Sequence, residues 1–351
     1  VTFRVTVLGA GSIGIFVGGK LAAAGADVTF VGRPRLLDEI AATGLRLTDL
    51  DGGSDRVAPA AFAVATEPTS AATADLVLVT VKSAQTAVSA EQLVGRVRSD
   101  TVVLSLQNGI GNDTVIAEIL PSCVVLAGMV MFNVVHRDGG VFHRGTAGGL
   151  AVADDPSLER FAPLFARAGL PLDRHADLLP VQWAKLLLNL NNPINALSGL
   201  PLRTELGQRD YRRCLALAQA EALAVMDRAQ IRPARLTPLP PHLMVRALTM
   251  PDVLFSRISG RVVAVDPQAR SSMADDLEQG RKTEIAWLSG EIVSLGRMVG
   301  VPTPVNACLM ELIGLAERGD ERRWSGADLL ARLRSAKCDA TEDAARPSDR
   351  A

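Results

Sequence analysis

A chain of 351 residues is longer than a single hydrophobic core usually serves, so two domains are expected. With 48% hydrophobic residues, 21% charged residues and a formal net charge of −1, the composition excludes a disordered chain. It gives no electrostatic reason for a nucleic-acid or anionic-membrane partner, and no run reaches the roughly 18 unbroken apolar residues of a membrane span.

The chain opens on a strand pattern, with no basic and apolar leader before it, and a cytoplasmic setting is expected. Cys123, Cys214, Cys308 and Cys338 are scattered without Cys-x-x-Cys spacing and read as free thiols in a reducing compartment. The four histidines lie far apart in no ligand pattern, so no metal site is expected. Of 37 basic residues only Lys20, Lys82, Lys185, Lys282 and Lys337 are lysine. A lysine inside an apolar segment of so arginine-rich a chain asks for a reason.

Arg4 to Leu8 reads as a strand, Ser12 to Ala24 as a helix and Asp27 to Val31 as a second strand. Between the first two lies Gly9-Ala10-Gly11-Ser12-Ile13-Gly14. In a strand–turn–helix context Gly9 permits the tight turn, Gly11 lets a pyrophosphate approach the backbone, and Gly14 lets helix and strand pack closely. The helix start offers free N–H groups and the positive end of its dipole to phosphate. The second strand ends in Gly32-Arg33-Pro34-Arg35, without the carboxylate that holds the ribose 2′-hydroxyl of NAD. A guanidinium there can clamp a 2′-phosphate, so NADP (NADPH) is the expected cofactor and Arg33 its reader. The alternative for Arg33 and Arg35 is an ordinary solvated charge.

Leu76 to Val81 and Val102 to Leu106 are near-continuous apolar runs, typical of parallel strands covered on both faces. Each ends in polar residues, Lys82 and Asn108, at the edge where open α/β sheets bind ligands. Either can touch cofactor or substrate, and either can be a plain surface or turn residue. From Val124 to Val152 the pattern changes to strands around Arg137-Asp138-Gly139-Gly140, a hairpin signal for added antiparallel or mixed strands.

Beyond about Asp177 the strand signal fades. Val181 to Leu197, Tyr211 to Ala229, Ser272 to Val299 and Asn306 to Glu317 read as helices, with a proline-rich loop or short-helix insertion between Pro233 and Pro251. The expected fold is α/β: a Rossmann-like doubly wound domain over residues 1–177, an all-α domain over 178–335 and a flexible polar tail over 336–351. A site is expected in the cleft between the two domains.

The helical half carries two polar constellations. In "WAKLLLNLNNPINAL", Lys185, Asn189 and Asn192 (i, i+4, i+7) share one helix face; Asn195 lies round from them and Asn191 well away. Burying them costs free energy unless each finds a partner, which fits a stripe facing a polar ligand. The alternative is that the asparagines cap a broken helix while Lys185 snorkels to water. Pro193 removes a helical N–H, so a kink or helix end belongs there. In "SSMADDLEQGRKTEI", Ser272 with Asp275 and Asp276 looks like a helix start, and Glu284 lies on the shoulder of the buried stripe, a candidate partner for Lys185. The plain alternatives are an N-cap and a surface charge.

Taken together, "VLGAGSIG", "VKSAQT", "LQNGIGN", "WAKLLLNLNN" and "SSMADDLEQGRKTEI" resemble the ketopantoate reductases (2-dehydropantoate 2-reductases) over nearly the whole chain. The resemblance implies NADPH-dependent reduction of a small 2-keto acid, ketopantoate, to (R)-pantoate in pantothenate synthesis. By motif, Lys185 resembles the proton donor, Asn189 and Asn192 the substrate ligands, and Ser272 the holder of the substrate carboxylate. Glu284 resembles the motif glutamate near lysine and substrate, Lys82 and Asn108 the nicotinamide and substrate edge, and Arg33 the 2′-phosphate reader. Two departures stand out. The family's second asparagine comes eight residues after the lysine, where this chain has Pro193 and places Asn192 at seven. An insertion between about Pro233 and Asp266 precedes the substrate motif and can reshape the pocket. The alternatives carried forward are a reductase of another branched 2-oxo acid or an opine-type dehydrogenase, and a non-catalytic NADP sensor. A homodimer stays open.

Overall fold

The computed structural model describes residues 2–50, 52–259, 269–320 and 323–345. The chain divides into two compact units, Val1–Leu178 and Leu179–Ala351.

The first unit is built on twelve strands: β1 (Arg4–Leu8), β2 (Asp27–Val31), β3 (Leu45–Asp49), β4 (Ser54–Val57), β5 (Phe62–Ala65), β6 (Leu76–Val79), β7 (Val102–Ser105), β8 (Val124–Val130), β9 (Val134–Arg137), β10 (Val141–Arg144), β11 (Leu150–Ala153) and β12 (Leu172–His175). Its helices are α1 (Ser12–Ala23), α2 (Pro34–Thr43), α3 (Thr86–Glu91), α4 (Asn112–Ile119) and α5 (Ala162–Arg167). The main sheet runs β12-β11-β8-β7-β6-β1-β2-β5, with every pairing from β8 to β5 parallel. All four residues of β6 and of β7 are buried, because helices cover both faces. The α/β expectation therefore holds. Strand order reverses between β1 and β6, so the loops after these strands flank the switch point where doubly wound sheets take their ligands.

β9 and β10 form the expected hairpin through Gly139 and Gly140, both at positive φ. Their partners are a finding of the structure: β3 and β4 join them in a second sheet, β4-β3-β10-β9, with Leu47 opposite Phe142.

The second unit is helical: α6 (Leu179–Asn189), α7 (Asn191–Ser198), α8 (Leu202–Gly207), α9 (Arg209–Arg228), α10 (Pro241–Leu248), α11 (Asp252–Ser259), α12 (Ser272–Glu278), α13 (Ser289–Val299), α14 (Pro304–Ala316) and α15 (Gly326–Ala345). The proline-rich insertion carries α10 and α11, while its stretch 260–266 lies outside the described residues. It is anchored by Arg212, fully buried, which donates to the carbonyls of Leu248 and Met250 and pairs with Asp252 at 2.8 Å.

Three expectations need correction. The segment Ser272 to Val299 is not one helix: α12 ends at Glu278, Gly280 adopts φ +62, and the carboxylate of Glu317 takes hydrogen bonds from Lys282 and Thr283 before α13 begins. Val181 to Leu197 is likewise split at Leu190, three residues before the proline. The segment after Lys337, read as a frayed tail, continues α15 to Ala345; residues 346–351 lie outside the described residues. Leu329, Leu330 and Leu333 are buried, so the helix is tied down upstream of its polar end. Among the described residues no helix is long and apolar enough to cross a membrane.

Candidate active site

The glycine loop follows β1, and its geometry separates the three glycines. Gly9 sits at φ +110, and a Cβ there would fall 2.5 Å from the Val81 nitrogen. Gly14 has no room either, facing the Gly9 carbonyl, Thr80 Oγ1 and Val7. A Cβ on Gly11 would meet nothing within 4 Å, so the backbone there is open to a ligand. The N–H groups of Gly9 and Ala10 donate to the Val31 carbonyl at 3.0 and 2.9 Å, and Thr80 Oγ1 donates to the Gly9 carbonyl at 2.7 Å. This stitches the loop to the ends of β2 and β6. The N–H groups of Ser12, Ile13 and Gly14 have no partner among the described residues. A tight loop, an open Gly11 and unspent N–H groups at the start of a 12-residue helix together fit a pyrophosphate.

Arg33 caps α2, two residues past the Val31 carbonyl that holds the glycine loop. Its side chain is exposed and has no partner among the described residues. Gly32 lets this turn approach: a Cβ would lie 2.7 Å from the Cβ of Ala10.

Lys82 and Asn108, both half-buried, follow β6 and β7 on the same sheet edge. A buried network that sequence reasoning missed holds their loops together. Ser83 Oγ donates to the Asn108 carbonyl at 2.8 Å, as does Asn112 Nδ2. Thr86 Oγ1 donates to Asn112 Oδ1 at 2.7 Å, and Gln107 Nε2 donates to Thr86 Oγ1 and to the Val81 carbonyl. The available signal was the density of amides in "LQNGIGN" beside a buried strand.

In the second unit, Lys185 lies within α6, 8% exposed among buried Val181, Trp183, Leu186 and Leu187. Lys20 pairs with Asp55 at 2.5 Å and Lys282 with Glu317 at 2.9 Å, whereas the Lys185 ammonium has no ion-pair or hydrogen-bond partner among the described residues. Burial alone pulls its ammonium down from 10.5 to about 8. Asn189 closes α6 and Asn192 stands in the first turn of α7, both half-buried. Asn191 and Asn195 are buried and bonded to Glu205.

The N-cap of α12 is Ser271, not Ser272: its Oγ accepts from the Ala274 N–H at 3.1 Å. Ser272 is exposed, one residue into the helix and without a capping duty. Glu284 does not sit on a helix shoulder; it is half-buried at the start of a short 3₁₀ turn, its carbonyl accepting from Trp287. Among the described residues no hydrogen bond or ion pair joins the Lys185 ammonium to Glu284. Among the described residues no cluster of three or more His, Cys, Asp or Glu could hold a metal.

Comparison with known proteins takes in both units. Residues 5–156 match the family described as ketopantoate reductase PanE/ApbA, and residues 177–317 match its C-terminal counterpart. A 2-dehydropantoate 2-reductase of Halobacterium salinarum is 32% identical over 321 residues, spanning 90% of this chain and 99% of that protein. One from Pyrococcus horikoshii is 28% identical over 320 residues, spanning 90% of this chain and 97% of that protein. Among solved structures, a PanE/ApbA family ketopantoate reductase from Ralstonia eutropha superposes with a TM-score of 0.76 at 29% identity, covering 90% of this chain and 98% of that one. A D-mandelate dehydrogenase with NADH and anilino(oxo)acetate shares the fold, with a TM-score of 0.70 at 20% identity and 90% and 98% coverage. With both halves matched in chain order and a relative aligned almost end to end, this chain belongs to the ketopantoate reductase family.

Proposed function

We propose that the chain reduces the 2-keto group of 2-dehydropantoate (ketopantoate) to (R)-pantoate with NADPH. When bound, the nicotinamide supplies the hydride. Ser12, Ile13 and Gly14 donate backbone N–H groups to the pyrophosphate across the open face of Gly11, and Arg33 clamps the 2′-phosphate. Lys82 and Asn108 border the nicotinamide and the substrate. Asn189 and Asn192 bind the substrate's polar groups, Ser272 binds its carboxylate, and Glu284 lies near Lys185 and the substrate hydroxyl.

Lys185 Nζ gives its proton to the carbonyl oxygen as negative charge builds there, leaving a neutral amine. An ammonium that loses its proton near pH 8 suits this transfer, being mostly charged at neutral pH yet a far better acid than ordinary lysine. Arginine would hold its proton too tightly. The observation that carries the reading is this buried lysine without a partner among the described residues, in a chain whose basic residues are mostly arginine. An NADP sensor has no use for it.

The insertion favours a second reading, a reductase of another branched 2-oxo acid. Leu236, Thr237 and Met244 pack against Ala184 and Leu188 of α6, the helix that carries Lys185. NADPH oxidation measured with ketopantoate and with 2-keto acids of graded side-chain bulk decides between them. A kcat/KM for ketopantoate at least tenfold above every analogue supports the first reading, and a clear preference for an analogue replaces it.

A further inference from the structure

Glu205, on α8, is fully buried. Its Oε2 accepts from Asn191 Nδ2 at 2.9 Å and from Asn195 Nδ2 at 3.2 Å. Two other oxygens of this cluster, Glu205 Oε1 and Asn191 Oδ1, are buried and have no partner among the described residues. If the carboxyl were ionised, both would be bare acceptors, each carrying the penalty of a desolvated, unsatisfied group. A carboxylic acid and a carboxamide pair through two bonds, amide N–H to one oxygen and acid O–H to the amide oxygen. The first of these is already present. One proton on Oε1 would supply the second and satisfy both orphans at once.

We propose that Glu205 is a positioning residue held in its protonated form, donating Oε1–H to Asn191 Oδ1, and that this neutral clamp fixes the start of α12. The link to α12 is a chain of bonds. Asn195, held at Nδ2 by Glu205 and by the Leu200 carbonyl at 2.9 Å, accepts the Ser271 N–H on its Oδ1 at 2.9 Å. Ser271 Oγ then caps α12 and donates to the Asn192 carbonyl at 3.3 Å. Ser272 follows directly.

The surroundings favour the protonated form below about pH 7. Burial raises the Glu205 carboxyl to about 7, against the lowering effect of the two amides. From α7 it meets only those amides. From α9 it faces Tyr211 and Cys214, both also raised by burial and therefore neutral. Asp210, on the same helix, is engaged by Arg213. Arg212 is committed to the carbonyls of Leu206, Gly207, Leu248 and Met250 and to Asp252. Arg270 pairs with Glu278, and Arg323 packs on Gly199. Among the described residues no cation bonds to Glu205.

The catalytic consequence rests on the reading of Ser272 and Asn192 as substrate ligands; the proton itself does not. Glu205→Gln keeps one donor and one acceptor in the same places, whereas Glu205→Ala removes both. In the wild type, the infrared difference spectrum against Glu205→Gln should show the carbonyl band of a protonated carboxylic acid. A raised carboxyl binds more protons in the folded than in the unfolded chain, so wild-type Tm should fall as pH rises from about 5 through about 7. Glu205→Gln should lose that component. Glu205→Ala should raise KM for ketopantoate about tenfold with kcat changed less than about twofold, and Glu205→Gln should restore KM. No acid band, with Glu205→Gln as unstable as Glu205→Ala, overturns the protonated clamp. An unchanged KM in Glu205→Ala overturns the positioning role. Should Glu205→Ala fail to fold, the infrared band and the pH dependence of Glu205→Gln still decide. If the wild type does not reduce ketopantoate, the proposed function fails while those two readouts continue to test the proton.

Discussion

Replacing Lys185 with methionine should sharply cut turnover and make the protein more stable. Methionine keeps the unbranched apolar stem, one atom shorter, and removes the charge. The lysine as a whole is 8% exposed, its ammonium has no partner among the described residues, and burial lowers it from 10.5 to about 8. At about 1.4 kcal/mol per pH unit this fall amounts to about 3 kcal/mol of desolvation carried by the folded state. The sign follows from linkage. Below about pH 8 the group is charged both folded and unfolded, and the whole cost is present. Between about pH 8 and 10.5 the folded protein gives up the proton while the unfolded chain keeps it, so wild-type stability rises with pH. Above that window the cost is gone.

Lys185→Met should therefore gain about 2–3 kcal/mol near pH 7, or roughly 4–10 °C in Tm for a unit of this size, and much less near pH 10.5. Thermal unfolding of both proteins across this range, with NADPH oxidation in parallel, is the assay. Turnover should fall by about 10²–10⁴-fold. A Lys185→Met protein no more stable than wild type near pH 7, with the same pH dependence, would refute the reasoning. The lysine would then be satisfied where it lies, and its burial would need no catalytic explanation.

The same group should shape the pH profile: kcat/KM for reduction should be level below about pH 8 and fall about tenfold per unit above it, and a level profile to about pH 9.5 would remove Lys185 as the acid. Arg33→Ala should weaken NADPH binding about tenfold or more while leaving NADH nearly unchanged; equal losses by fluorescence titration would end the 2′-phosphate assignment. Gly11→Ala and Gly14→Ala should differ in kind. The first adds a methyl where the protein has nothing within 4 Å, so it should fold normally and bind dinucleotide poorly. The second drives a methyl into Gly9, Thr80 and Val7, so it should lose stability by about 1–3 kcal/mol; the reverse pattern in Tm and affinity would contradict the loop geometry.

Much of the candidate site's local geometry was legible because its signals are local. A turn between a strand and a helix needs residues without a Cβ at set positions, and Gly9 and Gly14 stand where a Cβ would collide with backbone. Lys185 was legible as a charge inside an apolar helix, and its burial now gives that anomaly a magnitude. The breaks were less legible. Pro193 announced an interruption, but as the third residue of α7 it occupies a position that needs no intrahelical N–H partner, so the split falls earlier, at Leu190. Likewise Ser271 rather than Ser272 caps α12, a choice made by the extended backbone of Ser271 and by Asn195, seventy-six residues away, which accepts its N–H.

Period and glycine placement were enough, by themselves, to specify a parallel α/β half and its glycine loop, because each follows from constraints between near neighbours. Folding in three dimensions decided what depends on distant partners: the second sheet that sets Leu47 against Phe142, the amides of Gln107 and Asn112 that join two loops, and Glu205 closing on Asn191 and Asn195. A buried polar atom is stable only beside a complementary one. Which residue supplies that complement is settled by packing, and no spacing along the chain records it.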